Sequence, residues 1–409
     1  MIFKERTLSD SIRRAFQTFP AVVLTGPRQS GKTTLCRKLF EHSHRFVSLE
    51  DPDVRLRARA DPRAFLDQYA PPVVIDEIQY CAELLSYIKT HIDQDRRPGQ
   101  WLLTGSQNFV LMESVTQSLA GRAAVLTLLP FSVSERCDNA HAGRDVATWL
   151  KEPIAPEPLR KPIAIEELIL RGFYPEIATV PAVDRQLWCG SYITTYLERD
   201  IRTLTAVSDL SQFERFLVAC ATRTGQILSL SELARDIGIS VPTAKRWLSL
   251  LETGQQVYLL YPYFRNIGKR LIKSPKLYFT DPALCSYLLG LHDREVLLSA
   301  PYFGNLFETM VVCDFLKRFL HFGSRPSMYY LRSRDGLEVD LVIDLASRLH
   351  LFEIKGAATI TDRHAVSLKR LAGELPSQVQ SAGIISRTTE SFRVTREIMN
   401  YAWTDVLAS

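Results

Sequence analysis

Gly26-Pro27-Arg28-Gln29-Ser30-Gly31-Lys32-Thr33-Thr34 stands between the apolar run Ala21-Val22-Val23-Leu24 and the stretch Leu35-Cys36-Arg37-Lys38-Leu39-Phe40. A strand, a glycine loop and a helix are expected in that order, which is the G-x-x-x-x-G-K-[ST] pattern in the context its chemistry requires. Gly26 and Gly31 let backbone N–H groups close around phosphate oxygens. The new helix points its positive end at the same anion. Lys32 reaches the β- and γ-phosphates of a nucleoside triphosphate, and Thr33 offers a hydroxyl to Mg²⁺. Residues 26–34 are therefore the expected nucleotide-binding segment.

Further along, Pro71-Pro-Val-Val-Ile75 runs into Asp76-Glu77-Ile78-Gln79. An apolar strand ending in two carboxylates is what a second nucleotide motif needs. Asp76 would hold Mg²⁺ through water or beside Thr33, and Glu77 would orient and deprotonate the attacking water. Gln100-Trp-Leu-Leu-Thr-Gly105-Ser-Gln-Asn108 reads as another strand ending in small and polar residues, with Gln107 or Asn108 placed to sense the γ-phosphate. Leu119-Ala-Gly-Arg122 precedes the strand 124–130; Arg122 is either an arginine finger or a salt-bridge residue. Repeated strand–helix units argue for an α/β fold, a parallel sheet wrapped by helices.

The chain has 409 residues, which suggests two or three domains. With 46% hydrophobic residues it can bury substantial cores, which excludes global disorder. A net charge of +5 is compatible with a polyanionic partner, but clustering decides that. Cys36, Cys81, Cys137, Cys189, Cys220, Cys285 and Cys313 are scattered without a C-x-x-C pair, so neither a zinc site nor a disulfide framework is expected. The N-terminus lacks a signal peptide's apolar core. No run approaches the ~20 apolar residues of a membrane span. A cytoplasmic protein with reduced thiols and no membrane partner is the expectation.

With Gly26–Thr33, Val73-Val-Ile-Asp-Glu-Ile-Gln79, Leu103-Thr-Gly-Ser106 and Leu119-Ala-Gly-Arg122 in place, the chain resembles the AAA+ ATPases, in particular a bacterial and archaeal subgroup. Arg171-Gly-Phe-Tyr-Pro-Glu176 and Tyr196-Leu-Glu-Arg-Asp-Ile201 also look like that subgroup. The resemblance implies an ATPase using ATP and Mg²⁺, with Glu77 as catalytic carboxylate and helices 163–171 and 183–205 as a lid. It also implies a homo-oligomer in which Arg122, Arg199 or Arg202 acts on a neighbour's phosphate. Residues 138–162, polar and Pro-rich, read as a surface loop or insertion.

Leu228–Gly238 and Thr243–Glu252 read as two helices around the turn Ile239-Ser-Val-Pro242, with Ser229 or Ser231 as cap. Positions 244, 247, 248 and 251 share an apolar face that leaves Lys245, Arg246 and Glu252 outward. Strands 256–261 and 275–279 flank a basic, aromatic segment carrying Arg265, Lys269, Arg270 and Lys273. This looks like a winged helix-turn-helix, with 243–252 as recognition helix and 262–275 as wing. Such a surface suits DNA phosphates, and winged helices also dock proteins.

In the last unit a helix from Asn305 to Phe319 carries Glu308; strands at 328–331, 338–344 and 350–355 carry Asp340, Glu353 and Lys355; a helix at 362–373 and a strand at 380–386 follow. Glu353 and Lys355 lie two apart in a strand and so share a face. The set resembles the restriction-endonuclease-like PD-(D/E)xK fold. In a metal nuclease, Glu308, Asp340 and Glu353 would gather Mg²⁺ and Lys355 would help activate water. A salt bridge from Lys355 to Asp340 or Glu353 would neutralise the carboxylates equally well, without cleavage.

The expected organisation is an ATPase domain at 1–205, a winged helix at 206–295 and a nuclease-like domain at 296–409. The reading is an ATP-hydrolysing DNA-binding protein, with branched or broken DNA among its candidate substrates. The alternatives are an ATP-dependent switch that docks a protein partner and an ATP-gated nuclease.

Overall fold

A computed structural model describes residues 3–106, 115, 117–154, 161–197, 210–263, 274–333 and 336–407. The first sheet contains β1 (Ala21–Thr25), β2 (Arg45–Ser48), β3 (Val73–Asp76), β4 (Trp101–Thr104) and β5 (Ala123–Thr127). Their spatial order is β2-β3-β4-β1-β5, and every pairing is parallel. β1, β3 and β4 are buried along their whole length. That is why they read as unbroken apolar runs, since a parallel sheet is covered on both faces. This is the parallel sheet of a P-loop NTPase. The segments leaving the carboxyl ends of β1, β3 and β4 meet where α/β sheets bind ligands.

The charged stretch between β2 and β3 forms two helices, Pro52–Ala60 and Pro62–Gln68. Each starts with a proline behind an aspartate, Asp51 or Asp61, whose carboxylate accepts two backbone N–H bonds. An Asp-Pro pair inside a helical stretch is a new N-terminus.

In the middle of the chain, helices Leu230–Ile237 and Val241–Thr253 are joined through Gly238, whose φ of 78° closes the first helix. Ser229 caps the first and Ser240 the second. Ala244, Trp247, Leu248 and Leu251 are buried, as the periodicity predicts. Packed with them are β6 (Gln226–Ile227), β7 (Val257–Leu260) and β8 (Lys276–Phe279), antiparallel in the order β6-β8-β7.

The last unit has the 19-residue helix Phe303–His321 and a six-stranded mixed sheet. Its strands are β9 (Met328–Arg332), β10 (Glu338–Leu345), β11 (Arg348–Lys355), β12 (Val379–Ser386), β13 (Phe392–Arg393) and β14 (Met399–Ala402). β13, β14 and the short helix Trp403–Leu407 have no counterpart among the expected elements. They belong to the core nonetheless, through buried Ala402, Trp403, Val406 and Leu407.

One buried apolar cluster runs from Leu129 to Leu407 and crosses both expected domain boundaries. Helix Ile165–Arg171 packs on helix Pro282–Leu288. At Gly172 the approach is so close that a Cβ would lie 2.1 Å from Asp281 Oδ1, and φ is +62°. The next N–H, of Phe173, donates to Asp281 Oδ2 at 2.7 Å. Residues 138–162 are not only a surface loop. They contain the helix Val146–Lys151, in which Trp149 is fully buried, its ring 4.9 Å from Phe315 and 5.5 Å from Phe352. A single large aromatic anchors a segment whose composition is otherwise that of a loop.

Candidate functional site

The loop after β1 adopts backbone angles that its glycines permit: φ is 153° at Gly26 and 95° at Gly31. A Cβ at Gly26 would stand 2.2 Å from the Leu128 carbonyl oxygen, so only glycine lets the loop pass this close to the chain leaving β5. Helix Lys32–Phe40 then begins at Gly31, with its first N–H groups turned into the loop. Lys32 Nζ donates to the carbonyls of Gly26 at 3.1 Å and Pro27 at 2.9 Å. Burial pulls its pKa down, against the opposing pull of Glu77 and Asp76. Ser30 Oγ is buried with no hydrogen-bond partner among the described residues.

The carboxyl end of β3 supplies the second half. Thr33 Oγ1 lies 3.1 Å from each oxygen of Asp76. The Thr104 hydroxyl, at the end of β4, also donates to Asp76. Glu77 sits in the left-handed region, φ 59°, and its N–H donates to Thr104 Oγ1 at 3.3 Å. Gln79 donates to Glu77 Oε2, and its Nε2 also lies 3.1 Å from Ser106 Oγ. Burial raises the Glu77 pKa, with Lys32 pulling the other way. A hydroxyl and a carboxylate are hard oxygen donors of the kind Mg²⁺ prefers, so Thr33 and Asp76 fit that ion.

Lys32, Thr33 and Glu77 face a cleft of about 360 Å³ lined also by Arg28, Pro175 and Glu176, among others. Pro175 and Glu176 come from the stretch 171–176; they lie between the two helices expected as a lid and line the cleft beside the nucleotide loop. Tyr192 ties it further: its hydroxyl donates to the Arg28 carbonyl at 3.4 Å and receives a bond from Gln256 Nε2 at 3.1 Å.

Arg6 has no sequence signal and is buried against the loop. It donates to the Ser30 carbonyl at 2.9 Å and the Leu129 carbonyl at 2.6 Å, and pairs with Glu135 at 3.2 Å. Burial would raise the Glu135 pKa, but Arg6 and His321 outweigh it and hold the carboxyl well below the usual range. Thr104 is a second residue that spacing alone does not single out, since its partner Asp76 is on another strand.

Arg122 makes a two-pronged bond to Asp93, with Nε–Oδ1 at 2.6 Å and Nη2–Oδ2 at 2.9 Å. The salt-bridge alternative is thus the one its own chain provides for. Asn108, Gln107, Arg199 and Arg202 lie outside the described residues. So do Arg265, Lys269, Arg270 and Lys273. Lys245 and Arg246 are exposed on the helix Val241–Thr253.

The structure does bring Glu308, Asp340, Glu353 and Lys355 together, around a residue not expected there. Lys276, from β8, places Nζ 3.0 Å from Glu308 and 3.1 Å from both Glu338 and Asp340. Lys355 Nζ is 3.0 Å from Asp340 and 2.6 Å from Glu353. Burial and the Asp340 charge push Glu308 up to about 7, although Lys276 is adjacent, because that ammonium is shared among three carboxylates. Burial and Asp340 raise Glu353 as well, whereas Lys276 and Lys355 hold Asp340 low against its burial. Among the described residues no group of three or more His, Cys, Asp or Glu is placed to hold a metal ion. The cluster does not fit the Mg²⁺ that a nuclease would need, because a lysine fills its centre.

A family described as "AAA domain" matches residues 18–137. Two described as domains of unknown function, DUF8612 and DUF4143, match residues 163–295 and 303–404. Two uncharacterised proteins, from Mycobacterium bovis and Mycobacterium tuberculosis, are each 32% identical over 360 residues, covering 88% of this chain and 75% of the relative. Among solved structures, a Walker-type ATPase of Pyrococcus abyssi is 15% identical, with a TM-score of 0.41, over 70% of this chain and 96% of that one. A point variant of Thermotoga maritima RuvB is 17% identical, with a TM-score of 0.30, over 61% and 88%. No helix among the described residues is long and apolar enough to cross a membrane.

Proposed function

The chain belongs to the family of the two mycobacterial proteins, and from its phosphate loop we propose that it is a Mg²⁺-dependent ATPase that binds DNA through its helix-turn-helix unit. The observation that carries the first half is the joining of Thr33 to Asp76, with Glu77 next in the chain, beside the buried ammonium of Lys32. The phosphates of ATP would take the place of the Gly26 and Pro27 carbonyls as partners of Lys32. The N-terminus of helix Lys32–Phe40 adds its positive end. Thr33 and Asp76 are the residues that would hold Mg²⁺, which neutralises charge on the β- and γ-phosphates. Glu77 is the base for the attacking water: its raised pKa brings it nearer the operating pH, where a base works best, and Gln79 fixes one of its oxygens.

For the second half, the support is the exposure of Lys245 and Arg246 on a helix whose opposite face is buried. Together with the basic segment 265–273, this fits a winged helix that meets phosphate groups. ATP turnover by the purified protein, measured alone and with single-stranded, duplex and branched DNA, tests both halves. Turnover that no DNA form changes, with no salt-dependent DNA binding, would remove the DNA assignment and leave the ATPase.

A further inference from the structure

Glu338, Asp340 and Glu353 on the C-terminal sheet stand with Glu308 on the helix beside it; Lys355 of that sheet pairs with two of them, and the fold supplies a further cation from a distant part of the chain. Lys276 lies on β8, in the sheet of the helix-turn-helix unit, and is 2% exposed. An ammonium has three N–H donors and no acceptor. Here three carboxylates stand within 3.1 Å of it: Glu308 from the long helix, and Glu338 and Asp340 from β10. Glu338 and Asp340 are two apart on one strand and so reach the same side. Other donors reach the same carboxylates. Asp340 Oδ2 accepts from Lys355 and from the Ile354 N–H, each at 3.0 Å. Glu308 Oε1 accepts the Tyr278 hydroxyl at 2.6 Å.

A divalent ion held by Glu308 and Asp340 would need their oxygens at about 2.0–2.1 Å for Mg²⁺. Lys276 Nζ already stands 3.0 Å from the Glu308 oxygen and 3.1 Å from the Asp340 oxygen. We infer that Lys276, like Lys355, is a resident cation of this cluster, which therefore takes no divalent metal and instead locks β8 onto the C-terminal sheet. The surroundings of β8 agree with a lock. The Tyr263 N–H donates to the Tyr330 carbonyl at 2.8 Å, and the Tyr330 N–H donates to the Tyr261 carbonyl at 3.1 Å. The Tyr330 hydroxyl donates to the Ser274 carbonyl, and its ring lies 5.7 Å from Lys276 Nζ. Both flanks of segment 264–273 are thus held on β9, with Lys276 just beyond.

The test uses the full chain without nucleotide. Mn²⁺ is titrated by calorimetry into the wild type and into Asp340→Asn; the two isotherms are expected to coincide. A binding event present in the wild type and lost in Asp340→Asn would overturn the inference. Thermal unfolding provides an independent arm. Lys276→Met leaves buried carboxylates uncompensated and is expected to lower the melting temperature by about 5 °C or more. Adding Glu308→Gln should recover part of that loss, because one of the stranded charges goes with it. A Lys276→Met protein that melts with the wild type would also overturn the inference. Should Lys276→Met fail to fold, Lys276→Arg, which keeps the charge, is expected to fold; failure of both would point to volume rather than charge and sink the lock.

Discussion

The Tyr192 hydroxyl donates a hydrogen bond, 3.4 Å long, to the backbone carbonyl of Arg28. Through it the helical segment after the sheet holds the phosphate loop. On the other side, Tyr192 receives Gln256 Nε2 and lies 2.9 Å from the Tyr174 hydroxyl. Tyr192→Phe removes the donor and keeps the ring. One neutral hydrogen bond corresponds to a factor of about 2–12 in an equilibrium constant. ATP affinity, followed with a fluorescent analogue, is expected to fall by that factor; unchanged affinity would show that the loop is held without Tyr192.

Glu77→Gln should leave ATP binding nearly intact and slow hydrolysis at least ~100-fold, the scale of a lost general base. Lys32→Ala should abolish tight binding instead, since the phosphates lose their cation. Because burial raises the Glu77 pKa above 4.5, the ionised base is present above that raised value and disappears as pH falls through it. The wild-type rate profile should therefore show an acid limb above pH 4.5 that Glu77→Gln lacks. Near-normal turnover in Glu77→Gln would remove this residue from the mechanism.

Glu135 is the prediction for stability. It is buried between Arg6 and His321, with its folded pKa below the 4.5 of an ordinary glutamate. A carboxylate depressed in this way stabilises the fold fully above the unfolded pKa, and the contribution is lost as pH falls through the folded one. Glu135→Gln strands the Arg6 charge and should cost about 3–5 kcal/mol at neutral pH. Urea unfolding at several pH values should show that deficit held from pH 8 to about 5 and narrowing below. A deficit that does not change in acid would assign the loss to packing.

Replacing Lys245 and Arg246 with Glu should weaken DNA binding strongly and flatten its salt dependence, because fewer counterions are released. Fluorescence anisotropy at several salt concentrations reads both. Affinity and slope equal to the wild type would favour a protein partner for this helix.

What the sequence made legible is local. Lys32, Thr33, Asp76 and Glu77 sit in contiguous motifs whose neighbours dictate strand, loop and helix, and they meet because β1 and β3 both end at the same edge of the sheet. Ala244, Trp247, Leu248 and Leu251 were visible through helical periodicity alone. Arg6 and Thr104 were not, because their partners Ser30, Leu129, Glu135 and Asp76 lie 24 to 129 positions away and only the fold selects them. Lys276 reads as an ordinary strand residue until the strands of two units are laid side by side. Arg122 illustrates the middle case: the helix Leu84–Gln94 presents Asp93 to it, and helix orientation is not written in spacing.

The helix Phe303–His321 reaches back to the first sheet's edge, where Asp314 accepts the Val133 N–H at 2.7 Å and Lys317 donates to the Phe131 carbonyl at 2.8 Å. A chain stopped before that helix would bury or expose those two backbone groups without an answer, so the ATPase segment is not expected to survive as a stand-alone product. The same holds over evolutionary time. Recombination that swapped the last hundred residues for a stranger's would have to bring a matching carboxylate and ammonium one helical turn apart. This gene is therefore expected to pass between lineages whole, and its segments to drift in step rather than as separate cassettes.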